Sequence, residues 1–366
     1  MRSNTQSSGS RAKLFKLVSF SCIIGLLLFL PIVSYGGAGD TLKDLERLTG
    51  KEREAKLIEG AKRESLLVYY GTIAIDQSTE LLNAFKKQYP FLKTEYYRSG
   101  NINVYNKIKT EAQAGKNAVD VIDLRAGETY SLVKDGLVDP YLSPSRKGMM
   151  KEFMDEKGYW TAPFHSPMAL GYNTNFVKKE AAPRSYEDLL DPKWKGRMSI
   201  DVEDADMMGT LIEYWGKEKG VAYFKKLAGN QPSIRQGHTF QAQILAAGEV
   251  HVAPWLFGYR PLTMMRKGAP LAIVLLEPIL SAANYMLLAK NAPHPYTAAL
   301  YLDWVLSADG GMKIFAEQLG RSVPRAGMKD KFPELQASSY LAVDPERIGP
   351  KFTEYSKLYC SIFGHC

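Results

Sequence analysis

Apolar and polar positions follow one another along this chain in two rhythms, and their order predicts its elements. The stretch SLLVYYGT at residues 65–72 is continuously apolar, rich in aromatic and branched residues, and broken at Gly71. It reads as a strand buried on both faces. Ahead of it, AKLIEGAKRE sets Leu57, Ile58 and Ala61 at helical spacing behind a capping-box pair, Thr49 and Glu52. Behind it, STELLNAFKKQY repeats Leu81, Leu82 and Phe85 with the same period from Ser78 and stops at Pro90. The unit recurs twice, as LKTEYYR before NVYNKIKTEAQAG and as VDVIDL before ETYSLVKDG. Strands alternating with amphipathic helices predict an α/β lobe whose parallel sheet is covered on both faces. Ligands of such sheets sit beyond the carboxyl ends of the strands. There the loops GTIAIDQS, RSGNIN and RAGE each run into a helix N-terminus and its free N–H groups.

From YWTAPFHSPMALGYNTN onward a second alternating block follows. A short helix SYEDLLD precedes a strand MSIDV, helices are expected around MGTLIEYWG, VAYFKKLAG and TFQAQILAAGE, and strand VHVA leads into the aromatic stretch PWLFGYRP. Strand LAIVLL ends near Pro278, NYMLLAK reads as a returning strand, and HPYTAALYLDWVLS as a long amphipathic helix. The pattern predicts two α/β lobes, the first completed by chain from beyond the second. Residues 39–164 and 281–345 are assigned to lobe 1, 165–280 to lobe 2, and 346–366 to a C-terminal tail. The crossings are expected near 160–172 and 276–284.

Composition narrows the class. A chain of 366 residues with 45% hydrophobic residues buries a substantial core. Residues 1–38 read as an export signal: Arg2, Arg11, Lys13 and Lys16 precede the apolar run Leu17 to Val33, and SYGGA supplies small residues for cleavage. Those four basic residues account for half of the net charge of +8. The remainder is too weakly basic for a nucleic-acid partner. Beyond the signal the cysteines are Cys360 and Cys366, a pair expected to close a small disulfide loop in an oxidising compartment. The zinc-protease, nucleophile-elbow, P-loop and dinucleotide motifs do not occur, and the five histidines lack ligand spacing. The expectation is a non-enzymatic, monomeric protein without a cofactor.

The phrases AKRESLLVYYG, SYEDLLDPKWKGRMSI, AAGEVHVA and NAPHPYTAALYLDWVLSADGG, in this order, resemble the periplasmic solute-binding proteins of ABC importers. The group that includes the ferric-iron binders is the nearest resemblance, and it runs from about Leu57 to Pro324. It implies the type II binding-protein fold, in which two lobes joined by hinge strands close over a solute and the closed form is read by a membrane permease. A sensory receptor that does not transport is an alternative of another class. In the ferric binders two adjacent tyrosines ligate the metal, and those positions fall here on Gly258 and Tyr259. The family's histidine after the first strand is missing from GTIAID, and its glutamate after the third is matched only by Glu128, out of step. Ferric iron therefore stays as the alternative cargo, with Tyr259 as its ligand.

The lead expectation is a small organic anion: a phosphate ester, phosphonate or carboxylate. Arg98, Arg125 and Arg260 would hold it through paired hydrogen bonds, and Tyr70, Trp255 and Tyr259 would stack on its organic part. Thr72, Ser99, Asn101, His165, Asp204 and Thr239 complete the candidate set, with Ser99, Asp204 and Thr239 also suited to cap helices. The acids Asp76, Asp123, Asp201, Glu203 and Asp204 keep a cationic solute in play.

Overall fold

The computed structural model describes residues 42–43, 45 and 47–364, so the expected leader lies outside the described residues. Helix α1 (Gly50–Glu64) feeds strand β1 (Leu66–Gly71), whose Leu67 and Tyr69 are fully buried. The predicted capping box does not form, because Thr49 makes no side-chain bond to the helix end. Helix α2 (Ile75–Gln88) begins before Ser78, strand β2 (Lys93–Arg98) follows, and helix α3 (Asn101–Gln113) leads to strand β3 (Val121–Leu124) and helix α4 (Ala126–Lys134). Strand β1 lies between β2 and β3 and runs parallel to both, as the alternating pattern requires. Gly71 at the end of β1 is fixed by sterics: a Cβ there would fall 1.6 Å from Asp123 Oδ2.

A short strand β4 (Val138–Asp139) precedes β5 (Thr161–Asn173), the first crossing, in which every residue is buried. Lobe 2 then holds β6 (Ser199–Asp201), α5 (Ala205–Trp215), α6 (Lys217–Gly229), β7 (Ser233–Arg235), α7 (His238–Ala247), β8 (Val252–Phe257), α8 (Tyr259–Met265) and β9 (Leu271–Val274). The return strand β10 (Leu280–Ala289) runs antiparallel to both β3 and β5. One sheet of order β2-β1-β3-β10-β5-β8 is thus continuous through both lobes, with β9 added to β5 and β4 to β10. The hinge is a pair of long hydrogen-bonded strands, in register at Ala283 with His165 and at Ser281 with Pro167.

Helix α9 (Pro295–Val305) covers lobe 1 beside α1. Its Tyr301 and Trp304 rings lie 5.0 and 5.1 Å from Phe85 of α2, contacts worth about 0.5–1.5 kcal/mol each beyond burial. The expected tail is a correction, because residues 346–363 are folded onto the body. The short turn before residue 352 rests on α4, where Gly349 approaches the Tyr130 ring. Helix α10 (Phe352–Phe363) then packs on α5 of lobe 2, with Tyr355 against Gly209 and the Tyr359 hydroxyl donating to the Asp201 carbonyl. Cys366 lies outside the described residues, and with it the expected pairing to Cys360.

Candidate functional site

The strand ends and helix starts of both lobes meet around a cavity of about 100 Å³. From lobe 1 it is lined by Thr72 and Ala74, by Arg98 to Asn101, and by Arg125; from lobe 2 by Asp201, Glu203, Gly237 to Thr239, Phe257 and Tyr259. Asn284 of β10 and Arg321 close its hinge side. Helices α2, α3 and α7 all begin at this wall, and their caps are Ala74, Gly100 and Gly237, none with a side-chain capping bond. Ser99 and Thr239 therefore do not cap as expected. A helix start whose cap carries no side-chain oxygen leaves first-turn N–H groups for a bound anion.

Beneath this wall, Asp123 is saturated by the protein. It is fully buried and accepts from Tyr69 Oη at 2.6 Å, from Thr72 N at 3.1 Å and Thr72 Oγ1 at 3.0 Å, and from Asn284. Its carboxyl serves to orient Thr72 and Asn284. Asp201 likewise accepts from Gly237 N at 2.7 Å and Gln241 Nε2 at 3.2 Å, so it sets the start of α7. His238 is held between the Trp255 carbonyl at 2.8 Å and Asp204 at 3.1 Å. Burial alone would push its imidazole down, but Asp204 and Asp201 hold it above the usual range.

Three polar contacts tie the lobes together. Arg125 of lobe 1, buried, pairs with Asp206 through two nitrogens and stands 3.6 Å from Asp204. Asn101 Nδ2 donates to Glu203 Oε2 at 2.9 Å. At the mouth, Arg260 of α8 holds both oxygens of Asp76 of α2, at 3.0 and 3.1 Å. The lobes are in contact, as in the closed state of a hinge.

Arg321 differs from all of these. It is 5% exposed, donates to Gln77 Oε1 at 2.7 and 3.2 Å and to Ser166, and lies 3.7 Å above the Tyr259 ring and 4.7 Å from that of Phe164. Among the described residues it forms no ion pair. Burial pushes its guanidinium down to about 10, with the Tyr259 hydroxyl partly offsetting.

Of the residues expected from the sequence, Thr72, Arg98, Ser99, Asn101, Arg125, Thr239 and Tyr259 meet at the cavity. Five do not. Trp255 is a strand residue of β8, 3% exposed, with its ring 5.8 Å from Phe224 in the core of lobe 2, because β8 extends through Phe257 instead of ending at Ala253. Tyr70 lies under α3, its ring 4.9 Å from Lys107 Nζ and its hydroxyl bonded to Glu111. His165 sits inside the hinge, its Nδ1 2.8 Å from Ser281 Oγ and its ring stacked on Phe153. Burial pushes its pKa down to about 4, so it is a neutral packing residue. Asp204 is buried behind His238, and Arg260 is occupied by Asp76. Glu128 does not line this cavity and belongs to a separate crevice.

Arg321, Asn284, His238 and Phe257 were missed. Arg321 lies in irregular chain after a π-helical turn, Ile314–Gln318, where no periodicity marks it. Asn284 stands within the apolar return strand, and that polar interruption is the one local signal available.

The chain matches the profile of the family described as bacterial extracellular solute-binding protein over residues 119–345. Its fold is similar to that of iron-bound HitA from Pseudomonas aeruginosa, at 19% identity and a TM-score of 0.71, over 81% of this chain and 99% of that one. It is equally similar to the periplasmic binding protein AfuA from Actinobacillus pleuropneumoniae, with exogenous fructose-6-phosphate bound, at 22% identity and a TM-score of 0.71, over 82% and 99% of the two chains. Iron uptake protein A1 of Synechocystis sp. is 27% identical over 150 residues, which are 39% of this chain and 41% of that protein. The matched part is thus under half the length of that relative. These likenesses bear out the type II two-lobed fold that the resemblance implied. With the hinge strands, the interlobe cavity and the profile match on residues 119–345 in agreement, the chain belongs to the bacterial extracellular solute-binding proteins.

Proposed function

We propose that this protein captures a small organic anion outside the cytoplasm, with a phosphate ester as the lead class, and delivers it as a closed monomer to the permease of an ABC importer. The carrying observation is Arg321: a buried cation lining the cleft whose hydrogen-bond partners are neutral and which stacks on aromatic faces, with no ion pair among the described residues. A buried charge without a counter-charge is costly, and an anionic solute in the cleft supplies one. Exposed Arg98 and the start of α3, whose cap Gly100 makes no side-chain bond, support the same sign of charge. Asn284, whose two N–H groups already serve Thr72 and Asp123, offers its Oδ1, and Glu203 its carboxylate, as acceptors for the hydroxyl groups of a polyol body. Nothing in this reading requires a covalent change in the solute.

Ferric iron is the competing cargo, favoured by the names of HitA and the Synechocystis protein and by Tyr259 at the cleft wall. Against it, the Tyr259 ring is covered by Arg321, and Glu128 does not line the cavity.

Thermal unfolding with fructose 6-phosphate, 2-aminoethylphosphonate, citrate or ferric citrate, in chelator-treated buffer, separates the two. A ligand at a hundred times its dissociation constant adds about 2.7 kcal/mol, a shift of several degrees in this size range. A phosphate ester or phosphonate is expected to stabilise without iron, and Arg321→Met to weaken that binding by about a hundredfold. Stabilisation only when ferric iron is present would overturn the reading.

A further inference from the structure

A second crevice, of about 720 Å³, lies apart from the cleft. One wall is lobe 1, through Ile102 and Tyr105 of α3 and Glu128 of α4; the other is Phe352 and its neighbours on α10, the helix seated on α5 of lobe 2. Its volume is that of a drug-sized ligand site. Two features on opposite sides of the polarity scale meet there. Ile102 is 46% exposed, an apolar side chain left uncovered at the start of α3. Glu128 is 7% exposed and, among the described residues, its carboxyl bonds only to its own backbone N–H and forms no ion pair.

A buried carboxyl is rarely left without a side-chain donor or a counter-charge in a folded protein. The nearby Arg125 guanidinium is committed to Asp206 and Asp204. Asp206 and Glu203 also face Glu128 electrostatically from lobe 2 and add negative potential, while Lys357 of α10 stands exposed at the rim. Burial first, and then Asp206, push Glu128 up to about 8. The site is therefore apolar on its walls, acidic at its base and open to solvent.

We propose that this crevice binds a small amphipathic amine, with its ammonium against Glu128 and its apolar body between Ile102, Tyr105 and Phe352. The proposal is independent of which solute occupies the cleft. An ammonium placed there ionises the carboxyl, so binding near neutral pH releases a proton into solution. Arg125, Asp206, Glu203, Lys357 and Tyr105 are the other ionisable groups around Glu128.

The test is calorimetric titration of the full chain with 2-phenylethylamine and tryptamine, with neutral 3-phenylpropan-1-ol as control, at pH 7 in two buffers of different ionisation enthalpy. The expected result is saturable amine binding with proton release, weakened at least tenfold in Glu128→Gln, while the alcohol binds both proteins alike. Thr353→Trp, which fills the crevice mouth without touching Glu128, is expected to weaken the amines as well and serves if Glu128→Gln does not fold. Equal amine affinity in wild type and Glu128→Gln, or in wild type and Thr353→Trp, would sink the proposal. So would failure of both amines to bind wild type, the result expected if the chain's own ends cover the crevice.

Discussion

Two arginines lie buried between the lobes and do opposite things with their charge. Arg125 enters lobe 2 from the start of α4 and meets two carboxylates, Asp206 and Asp204. Burial alone would push its guanidinium down, but Asp206, Asp204, Asp201 and Glu203 outweigh that and hold it above its ordinary value. Arg321 is buried to the same degree, yet its partners are an amide oxygen, a hydroxyl and three aromatic faces, and its guanidinium is pushed down. Burial is common to both, so the difference lies in the counter-charge. One arginine is neutralised by the protein and belongs to the seam; the other lacks a counter-charge from the protein, and the proposed anionic solute would supply one.

The comparison is sharpest when each charge is removed. Arg125→Met strands Asp206 and Asp204 without their cation, and breaking a buried pair in this way costs about 3–5 kcal/mol. Chemical denaturation of the ligand-free protein is expected to show a loss of that size. A change within about 0.5 kcal/mol would mean that the two carboxylates are protonated or hydrated and that the seam is not an ion pair. Arg321→Met takes away a charge that has no counter-charge, along with its hydrogen bonds to Gln77 and Ser166. Its ligand-free melting temperature is expected to stay level or rise, even as anion binding is lost. A loss of stability matching that of Arg125→Met would make Arg321 a structural residue and erase the distinction.

Sequence periodicity carried the architecture further than it carried the site. The runs around Leu67, Leu81 and Val121 repeat because a buried sheet and its covering helices impose periods on the chain. The order of those runs was enough for the two lobes and the crossing strands. It was not enough for Trp255, since an aromatic residue in a strand and one in a loop wall look alike until the strand's end is known. Tyr70 failed for a related reason. Alternation places Tyr69 and Tyr70 on opposite faces of β1 but does not say which face turns toward the cleft, and Tyr70 lies under α3. Arg125 was placed at the cavity because it sits in a loop at the end of a predicted strand, though its guanidinium is taken by Asp206 and Asp204 instead of being open to an anion. Arg321 comes from irregular chain about 200 residues away, and only the fold brings it over Tyr259. Its partners Gln77 and Ser166 are equally remote from it in sequence.

The third arginine at the interface, Arg260, sets the small end of the scale. It pairs with Asp76 across the mouth as Arg125 pairs with Asp206 inside, but the Asp76 side chain is 64% exposed. Water screens such a pair, and its expected contribution is below about 1 kcal/mol. The Arg260 hydrogen bonds hold Asp76 below its usual range. What this latch contributes is therefore present above about pH 4, the ordinary carboxylate value, and is lost as pH falls through the lower folded value. Asp76→Asn is expected to leave the melting temperature within a degree or two of wild type. In small-angle scattering of the ligand-free protein it should shift the average toward a larger radius of gyration, and 1 M salt should produce the same shift in wild type by screening the pair. If neither the substitution nor salt enlarges the particle, the mouth pair does not hold the lobes, and closure rests on the buried Arg125 seam and the Asn101 bond to Glu203.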